Sequence, residues 1–120
     1  MESVVGYSRA VVVGPHVYVA GTAPIPRDGG DPPADVYGQT RLCLEIISGA
    51  LSEAGASLED VVRTRLYLVA ADDFEEAGRA HGEAFASVRP ANTTVVVAAL
   101  VDPRWRVELE VEAVVSHAGR

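Results

Sequence analysis

Lysine is absent from the 120 residues, and all ten basic side chains are arginine. Any mechanism built on a lysine Schiff base is thereby excluded, as is the lysine of a phosphate-binding loop. Cysteine is almost as scarce. The one thiol, Cys43, has no partner for an intramolecular disulfide and no Cys or His neighbours at zinc-ligand spacing, which suits a reducing cytoplasm. The three histidines, His16, His81 and His117, are too scattered to suggest a metal site. No apolar run approaches the ~18 residues needed to cross a bilayer, and Met1 to Tyr7 carries Glu2 and no basic stretch, unlike a secretion signal. Positive charge is also in deficit. Seventeen acidic residues against ten basic leave a formal charge of −7, which repels phosphate backbones and argues against nucleic acid as a partner. Nucleophile-elbow, P-loop and dinucleotide fingerprints are missing.

What is present is the balance of a globular domain, with 48% hydrophobic and 22% charged residues. Neither a repeat nor a shift of composition divides it, so one domain over residues 1–120 is expected. Arg9 to Val13 and Val17 to Gly21 are β-branched runs around Gly14-Pro15-His16, which reads as a hairpin. Pro24 to Pro33 is rich in proline and glycine and reads as a loop able to cover a ligand. From the N-cap Asp35, apolar or small residues recur at three- and four-residue steps until Gly55, predicting a helix with Cys43 on its core stripe. Arg63 to Val69 predicts a strand. Asp72 and Asp73 are placed to cap a second helix over Phe74 to Val88, with Glu75 and Glu76 as capping-box acids and Phe74, Ala77, His81 and Phe85 packing inward. Gly78 and Gly82 each weaken that helix by ~1 kcal/mol relative to alanine. Thr93 to Leu100 predicts a β-branched strand. The last strand alternates strictly, with Val107, Leu109, Val111 and Ala113 on one face and Glu108, Glu110 and Glu112 on the other. The order is ββαβαββ, an α+β arrangement. Two helices cover only one face of such a sheet, so the other face needs polar residues or a partner chain, and the β-branched content favours a partner. Trp105 is a candidate interface anchor.

Several segments resemble one family in order along nearly the whole chain. They are Tyr7-Ser8-Arg9-Ala10, the Val-x-Val-x-Gly-Thr segment Val17 to Thr22, the run Glu53 to Thr64, Asp73-Phe74, Pro90-Ala91-x-Thr93-Thr94-Val95, and Val107-Glu108-Leu109-Glu110. Together they are similar to the RidA/YjgF family of reactive-intermediate deaminases. The resemblance implies a chorismate-mutase-like protomer, one mixed sheet with two helices on one face, assembled as a homotrimer with small-molecule clefts between subunits. It implies hydrolysis of enamines and imines to keto acids and ammonia, without metal or organic cofactor. An arginine of a Pro-Ala-Arg motif grips the substrate carboxylate in this family, a final-strand glutamate handles water, and a tyrosine and a serine line the cleft.

Carried over by motif, Tyr7 matches the tyrosine and Glu108 the glutamate, with Glu110 on the same face as the alternative. Asn92 stands where the family has its arginine, Ala20 where it has serine, and Gly78 where an asparagine is common. An amide has two donors and one acceptor and suits a neutral carbonyl or imine better than an acid. Arg9 and Arg89 are the candidate replacement cations. Two function classes follow: a hydrolase of a small, neutral electrophile, or a non-catalytic binder that kept the clefts. The family's older endoribonuclease label fits poorly with the acidic charge and the lack of a histidine pair.

Overall fold

Asp35 opens the first helix as the sequence requires. In the computed structural model, which describes residues 6–116, its carboxylate accepts the Gly38 N–H at 3.1 Å and caps α1 (Val36–Glu53). The helix ends in a left-handed Gly55 (φ 84°), where the Gly55 N–H bonds Ser52 O and the Ala56 N–H bonds Leu51 O.

The hairpin is formed by β1 (Ala10–Val13) and β2 (His16–Thr22), with Val13 opposite His16 and a positive φ of 60° at Gly14 closing the turn. His16 therefore belongs to a strand, not to the turn. After α1 come β3 (Val61–Leu68), α2 (Phe74–Phe85), β4 (Ala91–Val96) and β5 (Val107–Val114). The sheet order is β1-β2-β5-β3-β4, antiparallel throughout except for the parallel β3–β4 pair. Both helices pack on one face. Val17, Val19, Leu66, Leu68, Val107, Leu109, Val111 and Ala113 meet Cys43, Ile47, Leu51, Ala77 and Phe85 there.

Four further expectations are corrected. The fourth strand stops at Val96 rather than Leu100, because its parallel partner β3 ends at Leu68 and the last bond is Val97 N–H to Leu68 O. The second helix ends at Phe85 rather than Val88. Arg89 adopts φ 54°, its N–H returns to Phe85 O, and Pro90 bars a right-handed continuation. Asp73 does not cap this helix with its side chain, since both its oxygens are taken by the Arg106 guanidinium at 2.6 and 3.2 Å. Phe74 is 57% exposed instead of packed inward. Ala77, Ala80 and Phe85 supply the helix's buried face, and Arg79 stacks 3.8 Å over the Tyr37 ring while pairing with Glu76 and Glu83.

The loops after β2 and β4 are tied together by one buried side chain. Gln39 on α1 is 1% exposed, donates to Pro33 O and Arg104 O, and accepts the Arg106 N–H at 2.7 Å. An exposed ion pair, Arg104 to Asp31 at 2.9 Å, joins the same two segments.

Candidate functional site

Period-two alternation puts Glu108, Glu110 and Glu112 on the sheet face away from the helices, and their environments then separate them. Glu110 accepts the Tyr67 hydroxyl and lies 3.9 Å from Arg65, and Glu112 pairs with Arg65 at 2.9 Å. Hydrogen bonding to Glu110 raises the Tyr67 phenol above its ordinary range. Glu108 has no hydrogen bond or ion pair to any described residue. Its carboxylate lies against Gly21, where an added Cβ would sit 2.8 Å from Oε2. This close approach arises where the β2–β5 register shifts between Val19 and Thr22. Glu108 is half-buried, and burial, reinforced by Glu110 and opposed by Arg9, holds its carboxyl above the usual carboxylate range.

Glu108 lines an open cleft of about 1270 Å³. Tyr7 and Arg9 line it as well, together with Thr22, the 23–28 segment, one side of α1 and Trp105. Arg9 is moored by Nη1, which donates to Thr22 Oγ1 at 3.0 Å and to Gly21 O at 3.4 Å. The Ala20 N–H bonds Arg9 O, so Ala20 helps hold the Arg9 backbone. Three of the expected residues, Tyr7, Arg9 and Glu108, thus share one cleft.

Asn92 is elsewhere. It pairs with Thr64 across β3 and β4, on the helix side of the sheet, donates to Thr64 Oγ1 at 2.9 Å and accepts from Thr94 Oγ1 at 3.0 Å. The Thr64 hydroxyl also shares a hydrogen bond with His81 Nε2 at 2.8 Å. Burial keeps His81 below its ordinary pKa. Gly78 on α2 is surrounded by open space, and Arg89 is exposed just before β4; neither lines the cleft. Asn92 is not among the residues that line the Glu108 cleft. Trp105, expected at an interface, lines the cleft half-buried.

Gly21 was legible only as part of the family-like Gly-Thr pair, although glycine inside a strand is a general signal of close approach. Thr22 was legible through the same pair, and Arg27 and the α1 wall carried no signal. Cys43 is fully buried and burial pushes its thiol far above the ordinary range, which rules it out as a nucleophile at neutral pH. No three His, Cys, Asp or Glu side chains gather as metal ligands among the described residues. No helix among them is long and apolar enough to cross a membrane. His117 and Met1 to Val5 lie outside the described residues.

Residues 1–115 match the family model described as Endoribonuclease L-PSP. An uncharacterized protein of Streptomyces coelicolor is 41% identical over 112 residues, 93% of this chain and 84% of that protein. A crystal structure of a Mycobacterium tuberculosis member of the YjgF family superposes with a TM-score of 0.87 at 46% identity, covering 95% of this chain and 91% of the other. TdcF of Escherichia coli, provisionally named a reactive intermediate deaminase, is 30% identical over 111 residues, 90% of this chain and 84% of its own. Its crystal structure with bound serine superposes with a TM-score of 0.85 at 29% identity over 92% of this chain and 88% of that one.

Proposed function

The chain belongs to the RidA/YjgF family, and from that premise we propose that it hydrolyses a small imine or enamine electrophile without a cofactor. The observation that carries the reading is Glu108: a carboxylate with no hydrogen bond or ion pair to another described residue, on a cleft wall, with its pKa displaced upward by burial. Ionised Glu108 takes a proton from water as the water oxygen bonds to the C=N carbon. Glu108 hands that proton to the nitrogen, giving a neutral carbinolamine, then takes the carbinolamine hydroxyl proton and delivers it to the nitrogen as the C–N bond breaks. The products are a carbonyl compound and ammonia. Tyr7 and Arg9 orient the substrate at the same wall.

A second reading, a binder without turnover, is favoured by one observation. Asn92 replaces the cation of the family motif, and its amide is already engaged by Thr64 and Thr94. Generating imines in situ with an amino-acid oxidase and following their decay by semicarbazide trapping separates the two. Decay faster than in buffer supports the hydrolase; decay at the buffer rate leaves the binder.

The assembly we propose is a homotrimer, working in the cytoplasm on a small molecule and not on nucleic acid or membranes. The sheet face without helices carries Val11, Tyr18 and Val95, which are 47%, 42% and 42% exposed in the single chain and suit burial by neighbouring copies. Light scattering at micromolar concentration should give three times the 12.6 kDa chain mass; a monomer mass would remove the assembly.

A further inference from the structure

Asn92 is the outer part of a hydrogen-bond chain whose inner end is titratable. Thr94 Oγ1 donates to Asn92 Oδ1 at 3.0 Å, Asn92 Nδ2 donates to Thr64 Oγ1 at 2.9 Å, and Thr64 Oγ1 meets His81 Nε2 at 2.8 Å. Thr64, in the middle, is fully buried, whereas Asn92 is exposed on the edge strand β4 and His81 is half-buried. A hydroxyl carries one proton, so the bonds on the two sides of Thr64 are not independent. Leaving that buried proton without an acceptor is costly.

The charged groups around His81 are engaged elsewhere. One turn away on α2 stand Ala77, Gly78, Ala84 and Phe85, and the Phe85 ring centre lies 4.8 Å from that of the imidazole. Arg79 pairs with Glu76 and Glu83 beside Tyr37 and Arg41 of α1. On β3, Arg63 and Arg65 alternate with Thr64 and bond Thr93 and Glu112 on the other sheet face. Asp60 takes the Ser57 N–H, Asp73 holds Arg106, and β4 carries no charged residue. Burial is what lowers the His81 pKa.

We infer that His81 is a positioning residue that acts through Thr64 on the Asn92 amide, and that protonation of its ring reverses the chain. With the ring neutral, the Thr64 proton goes to Nε2 and Asn92 turns its nitrogen inward. With the ring protonated, Nε2 donates to Thr64, the Thr64 proton turns to Asn92 Oδ1 after the amide rotates by half a turn, and Nδ2 donates to Thr94. One proton enters at the imidazole from solvent, and the others only change acceptor. The amide's unused N–H and unused lone pair thereby exchange places at the β4 edge, so the same spot suits a ligand acceptor in one state and a ligand donor in the other. That meaning for a ligand rests on the family reading, which puts the substrate-gripping residue at position 92; the chain of bonds does not.

NMR of the side-chain amides tests the relay in the whole protein without substrate. Asn92 is the only asparagine and Gln39 the only glutamine, so there are two such amides, and the buried Gln39 serves as the reference. Between pH ~5 and ~8 the Asn92 signals should move with a single midpoint, equal to that of the His81 ring and below the ~6.5 of an unperturbed histidine. His81→Gln should leave them flat. Thr64→Val, a β-branched near-isostere suited to a strand, should uncouple the pair, so that His81 titrates and Asn92 does not follow; Thr64→Ser should restore the coupling. Asn92 signals that stay flat through the His81 titration of the unmodified protein overturn the relay, as does movement that persists in Thr64→Val. If the valine variant misfolds, movement that persists in His81→Gln overturns it equally. A coupled titration in a protein that hydrolyses no imine removes the hydrolase reading and leaves the relay standing.

Discussion

Glu108→Gln should slow imine hydrolysis by a factor on the order of a thousand, within the range that a positioned general base contributes, while Glu110→Gln should cost only a few-fold. The two carboxylates share a face and differ by two positions, so the pair is a sharp comparison. Glu110 is engaged by the Tyr67 hydroxyl and lies near Arg65, whereas Glu108 has no such partner and faces the cleft. The pH profile adds an independent check. Water activation needs the ionised carboxylate, so activity falls as pH drops through the Glu108 pKa, and that limb should lie above the ~4.3 of an ordinary glutamate. Removing the Glu110 charge takes away one of the causes that raise it, and the limb should move down in Glu110→Gln. Stability runs the other way. A carboxyl whose folded pKa exceeds its unfolded value binds more protons in the folded state, so its contribution to stability declines as pH rises between the two. Glu108→Gln should therefore melt higher than the unmodified protein at pH 7 to 8, and the gap should close below pH ~4. Loss of activity together with a lower melting temperature at neutral pH would mark Glu108 as structural.

On 2-iminopropionate, made from alanine by an amino-acid oxidase, the unmodified protein should be about a hundredfold slower than a family member with arginine at the Asn92 position. So small an acid is oriented mainly through its carboxylate, and losing a charge-assisted contact of ~2 to 3 kcal/mol corresponds to a rate factor of that order. Asn92→Arg should recover part of the loss, since β4 is an exposed edge strand on which a longer side chain has room. Recovery should be incomplete, because position 92 does not line the single-chain cleft that holds Glu108. Parity between the unmodified protein and an arginine-bearing relative would show that Arg9, the cation already moored in the cleft, has taken over, and would end the case for a neutral substrate.

The segments that the sequence displayed best were those in which a local signal and the tertiary environment agree. Val107 to Val114 alternates because one face meets the helices, and α1 begins and ends on Asp35 and Gly55 because their backbone roles are local. Where partners lie far along the chain, the local signal misled. Asp73 reads as a cap until Arg106, 33 residues away, takes its carboxylate. Thr93 to Leu100 has strand chemistry throughout, yet only the part alongside β3 finds hydrogen bonds. At the site, motif resemblance pointed to a cleft of Tyr7, Asn92 and Glu108, with Arg9 only a candidate cation, and the single chain brings Tyr7, Arg9 and Glu108 together without Asn92. The resemblance could not display the approach of Glu108 to Gly21, which depends on an irregular register between two strands, nor the α1 wall, whose residues look like any amphipathic helix.

Gln39 gives the cleft a mechanical character. Its amide bonds backbone atoms at Pro33, Arg104 and Arg106, so the segments that carry Ile25 and Trp105 to the cleft are fastened to the same point on α1. Freeing either one strands a buried amide donor or acceptor, at a cost of ~1 to 3 kcal/mol. The walls therefore behave as a fixed vessel and not as a hinged gate. Ligand exchange should then be governed by diffusion and desolvation and not by the loop closure that limits many enzymes.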